Sequence, residues 1–266
     1  MPFSIPGSGR LAARLATAPF VARLSRRLGR TRGQNRYYGV FTSFAEALAA
    51  APKRGKLVGY DHALLATFYR ERLDRVHSDD YPALYWLARV LPEGGRVFDF
   101  GGHVGLHRYG FAPYLASKAR AWTVCDVRHV VEAGRGIAKE RGALDLDFTE
   151  RLEDADGADV FFASGSLQYL GEGDVVERLI ALRAPPRHVI VNKTPVHDDE
   201  GFVTLQDTGV SVHAYTVFGR GRLVATLERH GWRLVDAWRN PEHACRVLLE
   251  PGRSLDAYSG FAFSRA

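Results

Sequence analysis

The pattern of apolar residues changes near residue 95. From there on, short apolar runs with the length of buried strands alternate with longer segments of helical period. Alternation of this kind predicts an α/β fold in which helices cover both faces of a mostly parallel sheet. The predicted strands are residues 96–100, 121–125, 145–148, 159–163, 188–192, 232–238 and 258–263, and the predicted helices are 104–118, 128–142, 173–183 and 219–230.

The chain before residue 95 has mainly helical signals. Residues 43–46 (Ser-Phe-Ala-Glu) form a capping box that opens an Ala-rich helix, and Pro52 follows that helix. Apolar spacing predicts two more helices, at about 61–76 and 81–90. We therefore expect three parts: a leader (1–36), a helical cap (37–92) and an α/β domain (93–266).

One segment of the α/β domain breaks the alternation. Residues 203–217 lack a helical period and lie between the fifth strand and the last helix. We expect them to form an insertion, folded as a hairpin over the functional site.

Composition and charge narrow the functional classes. The chain has 266 residues, of which 46% are hydrophobic and 25% charged, as in ordinary globular proteins. Its two cysteines exclude a disulfide scaffold and a four-cysteine zinc site, and they favour a reducing, cytoplasmic location. The net charge of +6 comes from the leader, which carries eight arginines and no acid, whereas residues 37–266 are near neutral. A nucleic-acid partner is therefore not expected.

The leader has an amphipathic pattern interrupted by Pro19. Apolar residues share one face of its second half and arginines share the other. This pattern is typical of a segment that binds the anionic inner surface of a membrane or an acidic partner. It also resembles an Arg-rich transit peptide. The alternative is a solvated arm that packs on its own domain.

A glycine turn follows the first strand of the α/β domain. Residues 99–105 read Asp-Phe-Gly-Gly-His-Val-Gly, and neither a complete dinucleotide fingerprint nor a phosphate-binding loop with Lys-Ser/Thr is present. Asp99 precedes the first glycine by two residues, where a carboxylate would repel a pyrophosphate. A carboxylate there suits a ligand with an amino group and a sulfonium.

The Asp-x-Gly-x-x-x-Gly pattern of this turn resembles the first motif of class I S-adenosylmethionine-dependent methyltransferases. The resemblance implies a Rossmann-like sheet with an antiparallel last strand and S-adenosyl-L-methionine as cofactor. Asp126, at the end of the second strand, lies where that family places the acid that binds the ribose hydroxyls, and His103 replaces the middle glycine of the motif. The expected cofactor-binding residues are Asp99, Gly101, Gly102, Gly105, Asp126, Ser164, Ser166 and Gln168.

A wider resemblance covers residues 37–264. These residues resemble a family of bacterial methyltransferases of unassigned substrate that is often associated with surface-polysaccharide gene clusters. The resemblance implies the fold and the cofactor, and our leading interpretation is a methyltransferase that acts on oxygen or nitrogen of a small molecule or glycoconjugate. The matching segments are residues 38–41 (Tyr-Gly-Val-Phe), 99–102, 164–170 (Ser-Gly-Ser-Leu-Gln-Tyr-Leu), 192–195 (Asn-Lys-Thr-Pro), 204–206 (Thr-Leu-Gln) and 230–232 (His-Gly-Trp).

Four polar residues are candidates for the methyl-transfer site, because ligands of open α/β sheets bind outside the carboxyl ends of the strands. His103 is the first candidate for a base, since histidine titrates near neutrality, although it could instead shape the turn. Asn192, Gln206 and Tyr215 are candidates for contacts with the acceptor. Asn192 could instead hold the following turn, and Tyr215 could be a core residue. No metal site is expected.

Two other functions remain open from the sequence. One is a non-catalytic binding module with a methyltransferase fold. The other is a nucleic-acid methyltransferase, which usually carries Asp/Asn-Pro-Pro-Tyr/Phe after the fourth strand, where this chain has residues 164–169 (Ser-Gly-Ser-Leu-Gln-Tyr).

Overall fold

A computed structural model of the chain describes residues 35–52, 57–58, 73–115, 118–171, 173–209 and 211–265. The predicted leader helices and most of the predicted helix at 61–76 lie outside these residues. The described part of that helix, residues 73–76, is not helical. The predicted helix at 81–90 is confirmed, as is the one that begins at the capping box, where Ser43 Oγ accepts from the backbone N–H of Glu46 at 3.1 Å.

The elements of the described residues are numbered in chain order. The strands are β1 (Arg36–Phe41), β2 (Leu57–Val58), β3 (Gly95–Phe100), β4 (Ala119–Cys125), β5 (Leu146–Thr149), β6 (Val160–Ser164), β7 (His188–Thr194), β8 (Val196–His197), β9 (Phe202–Asp207), β10 (Ser211–Gly219), β11 (Trp232–Asn240), β12 (Val247–Leu248) and β13 (Tyr258–Arg265). The helices are α1 (Phe44–Ala50), α2 (Tyr81–Val90), α3 (Leu106–Leu115), α4 (Arg128–Arg141), α5 (Asp174–Ile180) and α6 (Arg220–Arg229).

Seven strands form the main sheet, in the order β5-β4-β3-β6-β7-β13-β11. The five strands from β3 to β7 are parallel, and β13 is antiparallel to both of its neighbours. The predicted fold class is therefore confirmed, including the antiparallel last strand. The order of the parallel strands reverses between β3 and β6, so that the loops after these two strands leave the same edge and diverge.

The central strands of the main sheet (β3, β6, β7 and β13) are buried on both faces, whereas the edge strand β11 is mostly exposed. Neighbouring residues on a strand point to opposite faces. Val97 and Phe162 accordingly belong to a core with α2, α3 and α4, whereas Phe98 and Phe161 belong to a core with α5 and α6. These two cores explain the nearly continuous apolar runs of the sequence.

A second sheet packs near the carboxyl edge of the first. Its order is β12-β1-β9-β10-β2, and β8 also pairs with β10. The expected hairpin is confirmed as β9 and β10, which are antiparallel with Tyr215 opposite Thr204. Within the segment expected to be a helical cap, residues 36–41 instead form strand β1, in which Tyr37 pairs with Gln206. Strand β1 also pairs with β12, where Tyr37 is opposite Val247, so both of its partners lie far along the chain and its own sequence gives only a weak signal.

The described part of the chain has no helix long and apolar enough to cross a membrane.

Candidate functional site

The glycine turn connects β3 to α3. Residues packed beneath the turn leave no room for a side chain at Gly101 or Gly102. Gly101 and Gly105 have φ of +71° and +92°. A Cβ on Gly101 would lie 2.2 Å from the Cβ of Ser166, and one on Gly102 would lie 2.3 Å from Asp99 Oδ2. His103 also has a positive φ, +57°, so it adopts the left-handed backbone that favours glycine.

Asp99 lies beneath this turn, fully buried. Its Oδ2 accepts hydrogen bonds from Trp122 Nε1 and is bonded to His107 Nδ1, both at 3.1 Å. The carboxylate thus faces the interior and holds His107. Asp99 does not line the cavity at this edge of the sheet. A direct contact with the amino group or sulfonium of a cofactor would require that position.

Asp126 stands beside the turn, at the end of β4, as predicted. Its Oδ2 accepts from the backbone N–H of His103 at 3.0 Å, and its Oδ1 accepts from the backbone N–H of Val127 at 2.8 Å. The structure therefore brings the glycine turn and this acid together. Asp126 is half-buried and, like Asp99, does not line the cavity at this edge of the sheet.

A cavity of about 730 Å³ opens between the carboxyl ends of β3, β6 and β7 and the second sheet. Six of the predicted site residues lie on its wall: Gly101, His103, Ser164, Gln168, Gln206 and Tyr215. The wall also includes residues that were not predicted, among them Tyr37, Asp80, His107, Lys193, His243 and Tyr258.

Gln168 offers an unused polar atom to this cavity. The residue is 3% exposed, and its Oε1 is buried with no hydrogen-bond partner among the described residues. Leaving a buried acceptor unsatisfied costs about 1–3 kcal/mol, which an N–H or O–H group of a ligand would recover. Gly165 next to it leaves room, since the nearest atom to an added Cβ is 3.7 Å away.

The two serines after β6 already have partners within the protein. Ser166 Oγ donates to the backbone oxygen of Phe100 at 2.6 Å and so joins the ends of β3 and β6. Ser164 Oγ donates to Asp80 Oδ1 at 3.3 Å. Both hydroxyls therefore shape the site.

Asn192 is brought near the site but does not line the cavity. It is fully buried, and its Nδ2 donates to the backbone oxygen of Asp79 at 2.9 Å and to Asp80 Oδ1 at 3.1 Å. Its Oδ1 accepts from Trp238 Nε1 at 2.9 Å. The predicted contact with an acceptor does not fit this placement, because Nδ2 attaches the segment before α2 to the main sheet and Oδ1 is bonded to Trp238 of β11.

A chain of charged groups crosses the cavity wall next to Asn192. Lys193 Nζ lies 2.8 Å from Asp80 Oδ2 and 3.2 Å from Asp79 Oδ1, and Asp79 Oδ2 is paired with His243. Burial alone would raise the pKa of Asp79, but His243 and Lys193 outweigh it and lower the pKa to about 2. The sequence signal for this cluster was weak: two aspartates before a helix and one lysine after a strand.

The two histidines of the turn and of α3 have opposite pKa shifts. Burial, helped by the charge of His107, lowers the pKa of His103 to about 4, so His103 is neutral at pH 7. Burial alone would also lower the pKa of His107, but the carboxylates of Asp99 and Asp80 outweigh it, and the pKa is raised. This difference makes His103 a weaker base than its usual pKa suggests.

Tyrosine hydroxyls form the wall on the side of the second sheet. Tyr258 OH lies 3.0 Å from Tyr37 OH and 2.8 Å from Tyr215 OH. Gln206 joins this cluster, since its Nε2 donates to Tyr37 OH at 3.1 Å and its Oε1 accepts from Tyr169 OH at 3.2 Å. Burial raises the pKa of Tyr215 well above its ordinary value, so these hydroxyls are neutral hydrogen-bonding groups.

Among the described residues, no three His, Cys, Asp or Glu side chains are grouped so that they could hold a metal ion.

Comparison with known proteins shows the fold. No family model matches the chain, and no curated protein matches its sequence. Among solved structures, the chain is similar to the 1,6-didemethyltoxoflavin-N1-methyltransferase of Burkholderia thailandensis, which was crystallised with 1,6-didemethyltoxoflavin and S-adenosylhomocysteine. That match has a TM-score of 0.51 and 17% identity, and it covers 90% of this chain and 98% of the other.

Two further structures are methyltransferases. A SAM-dependent methyltransferase from Aquifex aeolicus matches 78% of this chain and all of its own, with a TM-score of 0.50 and 14% identity. An O-methyltransferase from neocarzinostatin biosynthesis matches with a TM-score of 0.48 and 16% identity over 76% of this chain. This chain covers only 56% of that protein. The chain has the fold of class I methyltransferases.

Proposed function

We propose that this protein is an S-adenosylmethionine-dependent methyltransferase that methylates oxygen or nitrogen on a small molecule or glycoconjugate. The observation that carries the proposal is the glycine turn after β3 with Asp126 beside it, at the point where the strand order reverses. Ligands of open α/β sheets bind at such a point.

The residues present fit the cofactor. Asp126 is an acceptor for the ribose hydroxyls, and the backbone of the turn allows a ligand to approach closely. Gln168 Oε1 is a further acceptor that lacks a partner among the described residues. When bound, S-adenosylmethionine supplies a methyl group on a positively charged sulfur. Asp99 contributes indirectly, through the shape of the turn and the position of His107.

The acceptor would occupy the remainder of the cavity, against the second sheet. Gln206 and Tyr215 lie on that wall, and their neutral donors and acceptors suit a ligand that is rich in hydroxyl groups. A glycoconjugate of the surface-polysaccharide type has this chemistry. The proposal places the reaction in the cytoplasm, and the basic leader is the part of the chain that would contact an anionic membrane or an acidic partner.

The experiment that tests this function follows the methyl group. Full-length protein is incubated with S-adenosylmethionine labelled in its methyl group and with a small-molecule extract of the source cells. We expect label to enter an extract compound only in the presence of the protein. Retained binding of S-adenosylhomocysteine without any transfer, even to purified surface-polysaccharide precursors, would indicate a binding module.

A further inference from the structure

His107 lies on the cavity wall between two carboxylates. Its Nδ1 is 3.1 Å from Asp99 Oδ2, and its Nε2 is 4.0 Å from Asp80 Oδ1. A carboxylate oxygen accepts hydrogen bonds, so Nδ1 carries the proton in the neutral imidazole. Nε2 is then left with a lone pair on the side of Asp80 and the cavity.

The ring of His107 is held in this orientation by its surroundings. Asp99 is fixed in turn by Trp122 Nε1, which donates to the same carboxylate oxygen at 3.1 Å. The ring also packs edge-on against Phe162, with centroids 4.8 Å apart, and against Phe111 at 5.5 Å. A reacting group held this firmly needs little reorganisation when its ligand arrives.

Nε2 of His107 faces Asp80 Oδ1 without bonding to it. At 4.0 Å the two atoms are too far apart for a direct hydrogen bond. Asp80 Oδ1 already accepts from Asn192 Nδ2 at 3.1 Å and from Ser164 Oγ at 3.3 Å, so Nε2 is the acceptor that His107 presents to a ligand in the cavity.

We propose that His107 is the general base of the methyl transfer and that Asp99 is its positioning residue. The inference rests on the proposed function and adds that the acceptor is a hydroxyl or amine that loses a proton. The lone pair of the acceptor atom forms the bond to the methyl carbon. The carbon–sulfur bond breaks with its electron pair going to sulfur, and the acceptor proton moves to His107 Nε2.

The groups that face His107 fit this role. Asp99 comes from β3, Asp80 from the segment before α2, Lys193 from the end of β7, and His103 from the turn. The two carboxylates stabilise the imidazolium that forms, while Lys193 opposes it. Burial and the charge of His107 lower the pKa of His103, the first candidate from the sequence, so the site favours His107 as the base.

The first test observes the ring nitrogens of His107 directly. Long-range ¹H–¹⁵N NMR of the full-length protein is recorded with and without S-adenosylhomocysteine. The spectrum at pH 9 identifies which ring nitrogen of His107 is protonated, and a pH series gives the pKa of His107. We expect Nδ1–H with Nε2 unprotonated, and a pKa above that of free histidine that falls in Asp99→Asn. Protonation at Nε2 instead would overturn the proposal. The protonated nitrogen is identified in the wild-type protein, so this outcome does not depend on whether Asp99→Asn folds.

The second test uses His107→Gln and the labelled-methyl assay with the cell extract. We expect S-adenosylhomocysteine affinity within about threefold of wild type and a loss of transfer of about 100-fold or more, the usual contribution of a general base. The exposed His129→Gln is the matched control and should keep full transfer. Wild-type transfer by His107→Gln would overturn the base assignment.

The two proposals fail differently. If wild-type protein does not bind S-adenosylhomocysteine, the proposed function is contradicted, and the titration of the free protein still decides the tautomer of His107. If binding and transfer are present but Nε2 is protonated at pH 9, only the base assignment fails.

Discussion

Asn192 Nδ2 lies 3.1 Å from Asp80 Oδ1, and this contact joins the end of β7 to the segment that precedes α2. Both residues are almost fully buried, so the hydrogen bond is shielded from water. Asp80 in turn contacts Lys193 and faces His107. The amide of Asn192 therefore holds one wall of the cavity in place, although it does not reach the cavity itself.

Replacing Asn192 should accordingly affect stability. Asn192→Ala leaves Trp238 Nε1 and Asp80 Oδ1 without the buried amide, and the backbone oxygen of Asp79 keeps only Asn240 Nδ2 as a donor. We expect the free energy of unfolding in urea to fall by about 2–4 kcal/mol, with cofactor affinity of the folded protein nearly unchanged. The exposed Asn35→Ala is the control and should stay within about 0.5 kcal/mol of wild type. Wild-type stability of Asn192→Ala would contradict this structural role.

The glycines of the chain offer a matched pair of substitutions. Gly101→Ala places a methyl group 2.2 Å from Ser166 Cβ on a backbone with φ +71°, and it should lower the free energy of unfolding by at least about 2 kcal/mol. Gly136→Ala, inside α4 with no atom within 4 Å of the new Cβ, should raise it by about 0.5–1 kcal/mol. Urea unfolding of both variants measures the contrast. Equal effects would contradict the close packing beneath the turn.

Removing one hydroxyl oxygen from the tyrosine cluster should lower the free energy of unfolding. Tyr258→Phe removes the partner that Tyr215 OH and Tyr37 OH share. We expect a loss of about 1–3 kcal/mol in unfolding free energy, because buried hydroxyls are left with fewer hydrogen bonds. Tyr85→Phe removes the same atom from a side chain that is 59% exposed and should have no measurable effect. A neutral result for Tyr258→Phe would show that water replaces its hydroxyl.

We expect His103 to make the free energy of unfolding depend on pH. Its folded pKa of about 4 lies below the value of 6.5 for an unperturbed histidine, so the unfolded chain takes up a proton first as the pH falls. Its contribution to stability is present above pH 6.5 and is lost between pH 6.5 and 4, by roughly 3 kcal/mol in all. His103→Gln should therefore lose less stability than wild type between pH 7.5 and 4.5 in urea titrations. Parallel curves for the two proteins would contradict the burial of a neutral imidazole.

The main sheet was predictable from the sequence because its strands carry short apolar runs and its helices carry a clear period. The predicted boundaries of β3, β6 and β7 fall within one or two residues of those observed. Strand β1 was missed because its pairing depends on β9 and β12, far along the chain, and strand propensity depends strongly on such partners.

The sequence could predict the parts of the candidate site whose position follows from the backbone. The glycine turn and Asp126 follow strands, and the strand ends bring them together. The direction of a side chain cannot be read in this way, so Asp99 and Asn192 were expected to contact ligands but contact other protein groups. The pairing of His107 with Asp99 depends on the first turn of α3 and on the neighbouring β4, which no local motif encodes.

The most direct test of the account is a calorimetric titration of the full-length protein with S-adenosylmethionine, for wild type, Asp126→Ala and the exposed control Asp147→Ala. The account predicts saturable binding by wild type and the control. It predicts binding weakened by about 5–150-fold in Asp126→Ala, which corresponds to a loss of about 1–3 kcal/mol of hydrogen bonding. Absence of binding heat in wild type, or wild-type affinity in Asp126→Ala, would contradict the assignment of the cofactor to the glycine turn and Asp126.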